Sequence, residues 1–207
     1  MRRFLSNKLG KCLAARAGID QPPQSVLLAF SFGCLISAMS SIAQSSEFIV
    51  REAHTTLNNK VYYLNARIDF TLSDEVLEAL HKGVPIMIKL EIEISRARDY
   101  LWDETITGLK QRYELEYHAL IKQYTIKNLN SGALHSYPDL NVALSVLGTI
   151  ADLPILDKNL LDPDEQYSGR IRAKVDINVL PVPLRLLAYL TSGWSLTSEW
   201  FLWSFSN

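Results

Sequence analysis

Period-two alternation of apolar and polar side chains limits the folds open to this chain more than any other feature. In residues 62–70, Tyr62, Leu64, Ala66, Ile68 and Phe70 are apolar, and the positions between them are mostly polar. Ile86, Ile88, Leu90, Ile92 and Ile94 repeat the pattern with Lys89, Glu91 and Glu93 outward. Leu109, Tyr113, Leu115 and Tyr117 alternate with Lys110, Arg112, Glu114 and Glu116, and residues 170–179 alternate from Ile171 through Ala173, Val175 and Ile177 to Val179. Side chains on successive strand residues point to opposite faces, so each segment predicts a strand with one wet face. Such strands belong to antiparallel sheets rather than parallel sheets buried on both sides.

The connections agree. Asn58-Asn59 separates strands predicted over 48–57 and 61–72, and asparagine tolerates the positive φ of a tight hairpin. Asn130-Ser131-Gly132 is a second turn signal. Ser73 is placed to cap a short helix running through His81, with Asp74 and Glu75 in its first turn, Gly83 beyond its end and Val76, Leu77 and Leu80 facing the core. A second helix is predicted from Pro138, introduced by Ser136 and Asp139, with Leu140, Ala143, Leu144, Leu147, Ile150 and Ala151 on one face. Residues 157–165 read as a surface loop, 184–190 as either helix or strand, and 194–205 as a final strand. In that strand Trp194, Leu196, Trp200 and Leu202 share one face and Phe201, Trp203 and Phe205 the other.

The first 43 residues form a segment of a different kind. Arg2, Arg3, Lys8, Lys11 and Arg16 precede the apolar run Val26 to Met39, and Ser41-Ile42-Ala43 follows. This is the order of basic lead, apolar core and small-x-small cleavage site in a secretory signal, with cleavage expected after Ala43. The alternative is an uncleaved, tilted membrane anchor over the 18 residues Val26 to Ala43, close to the ~20 needed to span a bilayer. Residues 44–207 then form a single exported, β-rich domain in the periplasm, or on the inner membrane if the anchor is retained. Both cysteines, Cys12 and Cys34, fall in the lead. Phe32 makes Cys34 a poor lipidation site, and the domain has no thiolate for disulfides, metal or nucleophilic attack. Residues 44–207 hold 16 basic and 21 acidic side chains, a balance of −5. That sign opposes nonspecific nucleic-acid binding, which relies on cations neutralising phosphates.

Catalytic motifs are weak. The four histidines, at 54, 81, 118 and 135, show no metal-ligand spacing, and there is neither a Gly-x-Ser-x-Gly elbow nor a phosphate-cradling glycine loop. His118 with Glu114 and Glu116 could bind a metal or exchange protons, but a solvated strand face accounts for the same residues. No metal, cofactor or catalytic residue is expected. Arg96 and Arg98 occupy the parity that is apolar from Ile86 to Ile94, so the strand must end, bulge or offer carboxylates such as Asp99 and Asp103. With Trp102 and Asp103 they are also candidate interaction residues, because arginine and tryptophan often anchor partners. The C-terminal Trp194, Trp200 and Trp203 are the other interaction candidates, suited to a partner protein or a membrane interface.

Glu78-Ala79-Leu80-His81-Lys82-Gly83-Val84-Pro85-Ile86 opens a familiar order of motifs, followed by Arg96-Ala97-Arg98, Trp102-Asp103 and Tyr117-His118-Ala119-Leu120. Tyr124, Tyr167, Arg170-Ile171-Arg172, Leu180-Pro181-Val182-Pro183-Leu184 and Trp194-Ser195-Leu196-Thr197-Ser198-Glu199-Trp200 complete it. Together they resemble the family known as domain of unknown function 4390, over nearly all of residues 47–205. The resemblance implies an exported envelope protein of Gram-negative bacteria, encoded near a membrane sensor kinase and an RNA methyltransferase, with no assigned active site. The expected fold is an antiparallel β-sandwich with two short helical insertions, or alternatively an open α+β sheet. The expected function is a non-enzymatic interaction module whose partner is an envelope protein such as a sensor kinase. A carrier of lipid or another apolar ligand is the alternative, and a hydrolase or metal enzyme is the third reading.

Overall fold

The computed structural model describes residues 47–96, 98, 103–163 and 165–206. Its elements in chain order are β1 (Phe48–Asn58), β2 (Val61–Phe70), α1 (Asp74–His81), β3 (Ile86–Arg96), β4 (Glu104–His118) and β5 (Gln123–Asn128). There follow β6 (Leu134–Tyr137), α2 (Leu140–Leu147), β7 (Thr149–Asp157), β8 (Gln166–Val175), α3 (Val182–Leu190) and β9 (Phe201–Ser206). Three strands form one antiparallel sheet in the order β1-β2-β7, and six form a second in the order β6-β5-β4-β3-β8-β9. Tyr62 of the first sheet meets Phe205 of the second with ring centroids 5.1 Å apart. The result is the expected mainly β, sandwich-like fold rather than a lone open sheet.

The core follows from the alternation in β3. Ile86, Ile88, Leu90, Ile92 and Ile94 are all essentially solvent-free, and each contributes about 1.5–3 kcal/mol relative to exposure. Pairing sets Ile88 beside Val175, Leu90 beside Ala173 and Ile92 beside Ile171, so β8 extends the same apolar surface. Phe48, Leu64 and Ile68 supply the opposing layer. α1 covers one end of it: Ser73 Oγ accepts the Val76 N–H at 3.3 Å and donates to Gly193 O at 2.7 Å. Val76, Ala79 and Leu80 are buried, and Gly83 leaves the helix at a φ of 82°.

Several boundaries depart from the sequence reading, each for a local reason. The first hairpin turns at Asn59-Lys60, one residue late, because those two residues take the positive φ values, 47° and 67°. The α2 cap is Asp139, whose side chain accepts the Asn141 and Val142 N–H groups, whereas Ser136 is committed to β6 opposite Thr125. α2 then ends at Leu147, because the Gly148 carbonyl accepts the Ile68 N–H at 2.8 Å and the chain pairs with β2 as β7. Ile150 and Ala151 are therefore strand residues. β8 stops at Val175, since Asp176 accepts the Asn178 N–H and folds Ile177–Val179 into a 3-10 turn. Residues 184–190 resolve as helix within α3.

The largest departure is at the C-terminus. Ser192–Trp194 is a 3-10 turn, Thr197 forms a single bridge with Lys174, and regular pairing begins only at Phe201. The Ala173 N–H bonds Ser198 Oγ at 2.9 Å, so residues 195–200 are held by individual bonds rather than a ladder. Alternation therefore cannot run unbroken from Trp194. Phe201, Trp203 and Phe205 face inward, Leu202 faces solvent, and Trp194 and Leu196 are buried while Trp200 lies outside.

The two ends of the sandwich differ. At one end Arg96, the β1–β2 turn and the segment after β7 meet, with Lys158 N donating to Lys60 O and Arg96 pairing with Asp162. At the other lie the start of β1, α1, the β4–β5 hairpin and α3, since Glu47 O accepts the Thr71 N–H and Ser73 reaches Gly193.

Gly169 of β8 lies against the Trp203 ring, and a methyl group there would fall 2.2 Å from Cζ2. A methyl at Gly108 of β4 would meet nothing nearer than 3.9 Å. We therefore expect Gly169→Ala to lower the urea-unfolding free energy by about 2–3 kcal/mol and Gly108→Ala to leave it within about 0.5 kcal/mol. Equal effects would show that Trp203 does not pack as described.

Candidate functional site

The outer face of the six-stranded sheet collects the polar halves of the alternating strands. Across β3, β4, β5 and β8 it carries the cations Lys89, Lys110, Arg112, Lys127, Arg170, Arg172 and Lys174 against the carboxylates Glu91, Glu93, Glu114 and Glu116. That is a surplus of three positive charges in a domain whose balance is −5, so the remaining surface is correspondingly acidic.

At its centre Glu91 receives Arg172 Nε at 2.7 Å, and Lys89 and Lys174 at 3.0 Å each. Only 8% of the residue is exposed, although it is on the outward face, because these long side chains fold over it. Burial raises the Glu91 pKa, but hydrogen bonds from Lys89, Lys174 and Arg172 outweigh it and bring the value from 4.5 down to about 2. Glu93 similarly binds Arg170, whose Nε donates at 2.8 Å. Trp200 lies over both guanidiniums, 4.6 Å from Arg170 and 4.4 Å from Arg172, a cation–π stack that fixes their planes. Lys110 and Arg112 on the neighbouring β4 are exposed.

A second cluster closes the far end of β3. A register shift between Ile94 and Ser95 reconciles the apolar parity with Arg96, which donates to Glu104 at 2.6 Å and Asp162 at 2.5 Å. Arg98 also pairs with Glu104. The bonds from Arg96 and Arg98 hold the Glu104 carboxyl below the usual range. The bulge and ion-pair reading of these arginines is therefore the one seen, with Glu104 and Asp162 as partners. Asp103 is exposed.

A family match accompanies this geometry. The model of the family described as domain of unknown function (DUF4390) matches residues 45–204. The chain belongs to that family. No curated protein and no solved structure matches it. The DUF4390 span includes β1 through β8 and most of β9, and so the whole outer face.

Of the interaction residues expected within the DUF4390 domain, Trp200 is on the outer face, while Arg96, Arg98 and Asp103 are near the far end. Trp194 and Trp203 are core residues, 3% and 9% exposed, so they are corrected from interaction candidates to packing. Trp102 and the cleavage position Ala43 lie outside the described residues. His118 Nε2 sits 3.8 Å from Glu116 and 3.2 Å from Thr125 Oγ1. Among the described residues no group of three or more potential ligands could hold a metal ion. No helix among them is long and apolar enough to cross a membrane. Sequence reasoning had the outward residues of each strand but did not sum their charge across neighbouring strands.

Because the folded-state pKa of Glu91 lies below its unfolded value, the ionised carboxylate stabilises the fold fully above pH 4.5, and that contribution disappears as pH falls towards 2. Glu91→Gln is expected to cost about 2–3 kcal/mol at neutral pH, by leaving three cations without their counter-charge. The difference between wild type and variant in urea unfolding should shrink across that acid window. A difference independent of pH would contradict the role assigned to Glu91.

Proposed function

We propose that this domain is a non-enzymatic protein-interaction module of the bacterial envelope, and that the outer face of the six-stranded sheet receives an acidic partner. The observation carrying this reading is the concentration of cations on one sheet face, with the guanidiniums of Arg170 and Arg172 oriented under Trp200. Arginine and tryptophan are the side chains that most often dominate binding energy at protein interfaces. A face already ordered by its own ion pairs loses little side-chain entropy on association. Glu91 and Glu93, set between the cations, favour a protein surface of mixed charge over a polyphosphate backbone. The basic lead and apolar run before Ala43 support an envelope location.

Photocrosslinking in intact cells, from probes replacing Arg112 and Thr197 on either side of the Arg–Trp stack, tests the assignment. The expected product is a reproducible adduct with one envelope protein through an acidic segment. Read from the probe at 197, Lys110→Glu combined with Arg112→Glu should reduce it at least about tenfold, since opposed like charges cost several kcal/mol. Undiminished adducts in that variant, with unfolding unchanged, would remove the outer face as the docking surface.

A further inference from the structure

We propose that the end of the sandwich bearing α3 and the β4–β5 hairpin docks on a lipid bilayer. Two separate elements present apolar side chains there. At the hairpin tip Leu120 is 100% exposed and Ile121 is 61% exposed. In α3 only Ala188 is buried; Val182, Leu186 and Leu190, spaced i, i+4, i+8, form an outward stripe with Leu187 and Tyr189 beside it. An outward apolar stripe of this length on a helix is normally covered by a core, a partner or a membrane.

Strand pairing puts both elements at the same end. Ile86 faces Leu115, three residues before the end of β4, and Ile88 faces Val175, the last residue of β8. The strand ends from which the two elements emerge are two strand spacings apart, from β4 to β8, about 10 Å. Leu120 projects fully into solvent at the hairpin tip, and the two elements border separate concavities rather than one shared groove, one lined by Tyr117, Leu120 and Ile121 and the other by Ala188, Tyr189 and Leu190. A fluid bilayer takes up separate apolar protrusions without a complementary shape, whereas a folded partner would need a matching cavity for each.

The path of the chain favours the bilayer as occupant. The described chain enters at this end, where Glu47 accepts the Thr71 N–H. The apolar sequence Val26 to Ala43 stops three residues earlier, at Gln44-Ser45-Ser46, a stretch that reaches at most about 11 Å. An anchor retained there would hold this end at the membrane surface. Tyr189, Lys122 and Arg185 flank the apolar residues, and the Arg185 guanidinium donates to the neutral Leu180 carbonyl, at 2.9 and 3.2 Å, with no ion pair to a carboxylate among the described residues, so its charge stays available to headgroups. Tyrosine and basic side chains fringing an apolar face are the arrangement favoured at the membrane interface. The outer face of the six-stranded sheet is a different surface, so the inference does not depend on the protein partner.

Full-length protein carrying Cys12→Ser and Cys34→Ser, reconstituted in vesicles of phosphatidylethanolamine and phosphatidylglycerol, provides the test. An environment-sensitive fluorophore is attached in turn at Leu120→Cys, Leu187→Cys and, at the opposite end, Asn159→Cys. Probes at 120 and 187 should emit at shorter wavelength and be quenched by doxyl groups on the lipid chains, and the probe at 159 should do neither. Leu186→Asp with Leu190→Asp should lower the docked-to-undocked ratio read at 120 by at least about tenfold. Two findings would overturn the proposal. One is solvent-exposed probes at 120 and 187 in the vesicles. The other is probes shielded there but untouched by the lipid-borne quencher, which would mean that the chain's own lead or a second copy covers this face.

Discussion

The ion-pair cluster around Glu91 is the constraint on which the rest of the sheet depends. β3 is the strand through which β4 and β8 are joined, and its inward isoleucines leave register as the quantity still to be fixed. A slip of one residue would send the apolar set to solvent, and a slip of two would keep it buried. Burial alone therefore distinguishes odd slips from even ones but not one even register from another. What the observed register adds is the full set of contacts: Glu91 opposite Arg172 with Lys89 and Lys174 beside it, and Glu93 opposite Arg170. A two-residue slip would set Glu91 opposite Lys174 or Arg170 instead, leaving Lys89 in place on β3 but changing which β8 cations can reach the carboxylate.

The same cluster shapes the surface. Since Glu91 and Glu93 occupy the nearest cations, the outer face is ordered without being neutral, and Trp200 fixes the two guanidinium planes. The register device and the proposed docking face are thus one set of residues. The surface at the α3 end is of opposite character, apolar and built from a hairpin tip and a helix rather than from strands. A domain with a charged side face and an apolar end is suited to lie on a membrane while presenting its side to a neighbouring protein.

Much of this was legible in the residues. The alternation in 62–70, 86–94 and 109–117 predicts β2, β3 and β4, and Ser73 with Gly83 brackets α1. The failures have physical causes. β5, β6 and β7 are short or irregular, and β7 reads as the continuation of α2 because Ile150 falls on its helical period; the helix ends at Gly148, where the Ile68 backbone approaches too closely for a side chain and the Ile68 N–H bonds the Gly148 carbonyl. The aromatic tail misleads because Thr197 and Ser198 attach to β8 singly, which breaks the parity between Trp194 and Phe201. β8 carries Arg170, Arg172 and Lys174 outward in succession, but the outward positions of β3 and β4 mix cations with acids, so the extent of the basic face is not visible within one strand. It emerges only once β3, β4, β5 and β8 are adjacent.

The most direct test of the account is a double-mutant cycle on Glu91 and Arg172, using Glu91→Gln, Arg172→Gln and the pair, read by urea unfolding at neutral pH. The Glu91 clamp predicts a coupling energy of about 1–3 kcal/mol. Additive losses, with coupling near zero, would mean that apolar packing alone sets the register of β3 against β8 and that the charged face is not organised around Glu91.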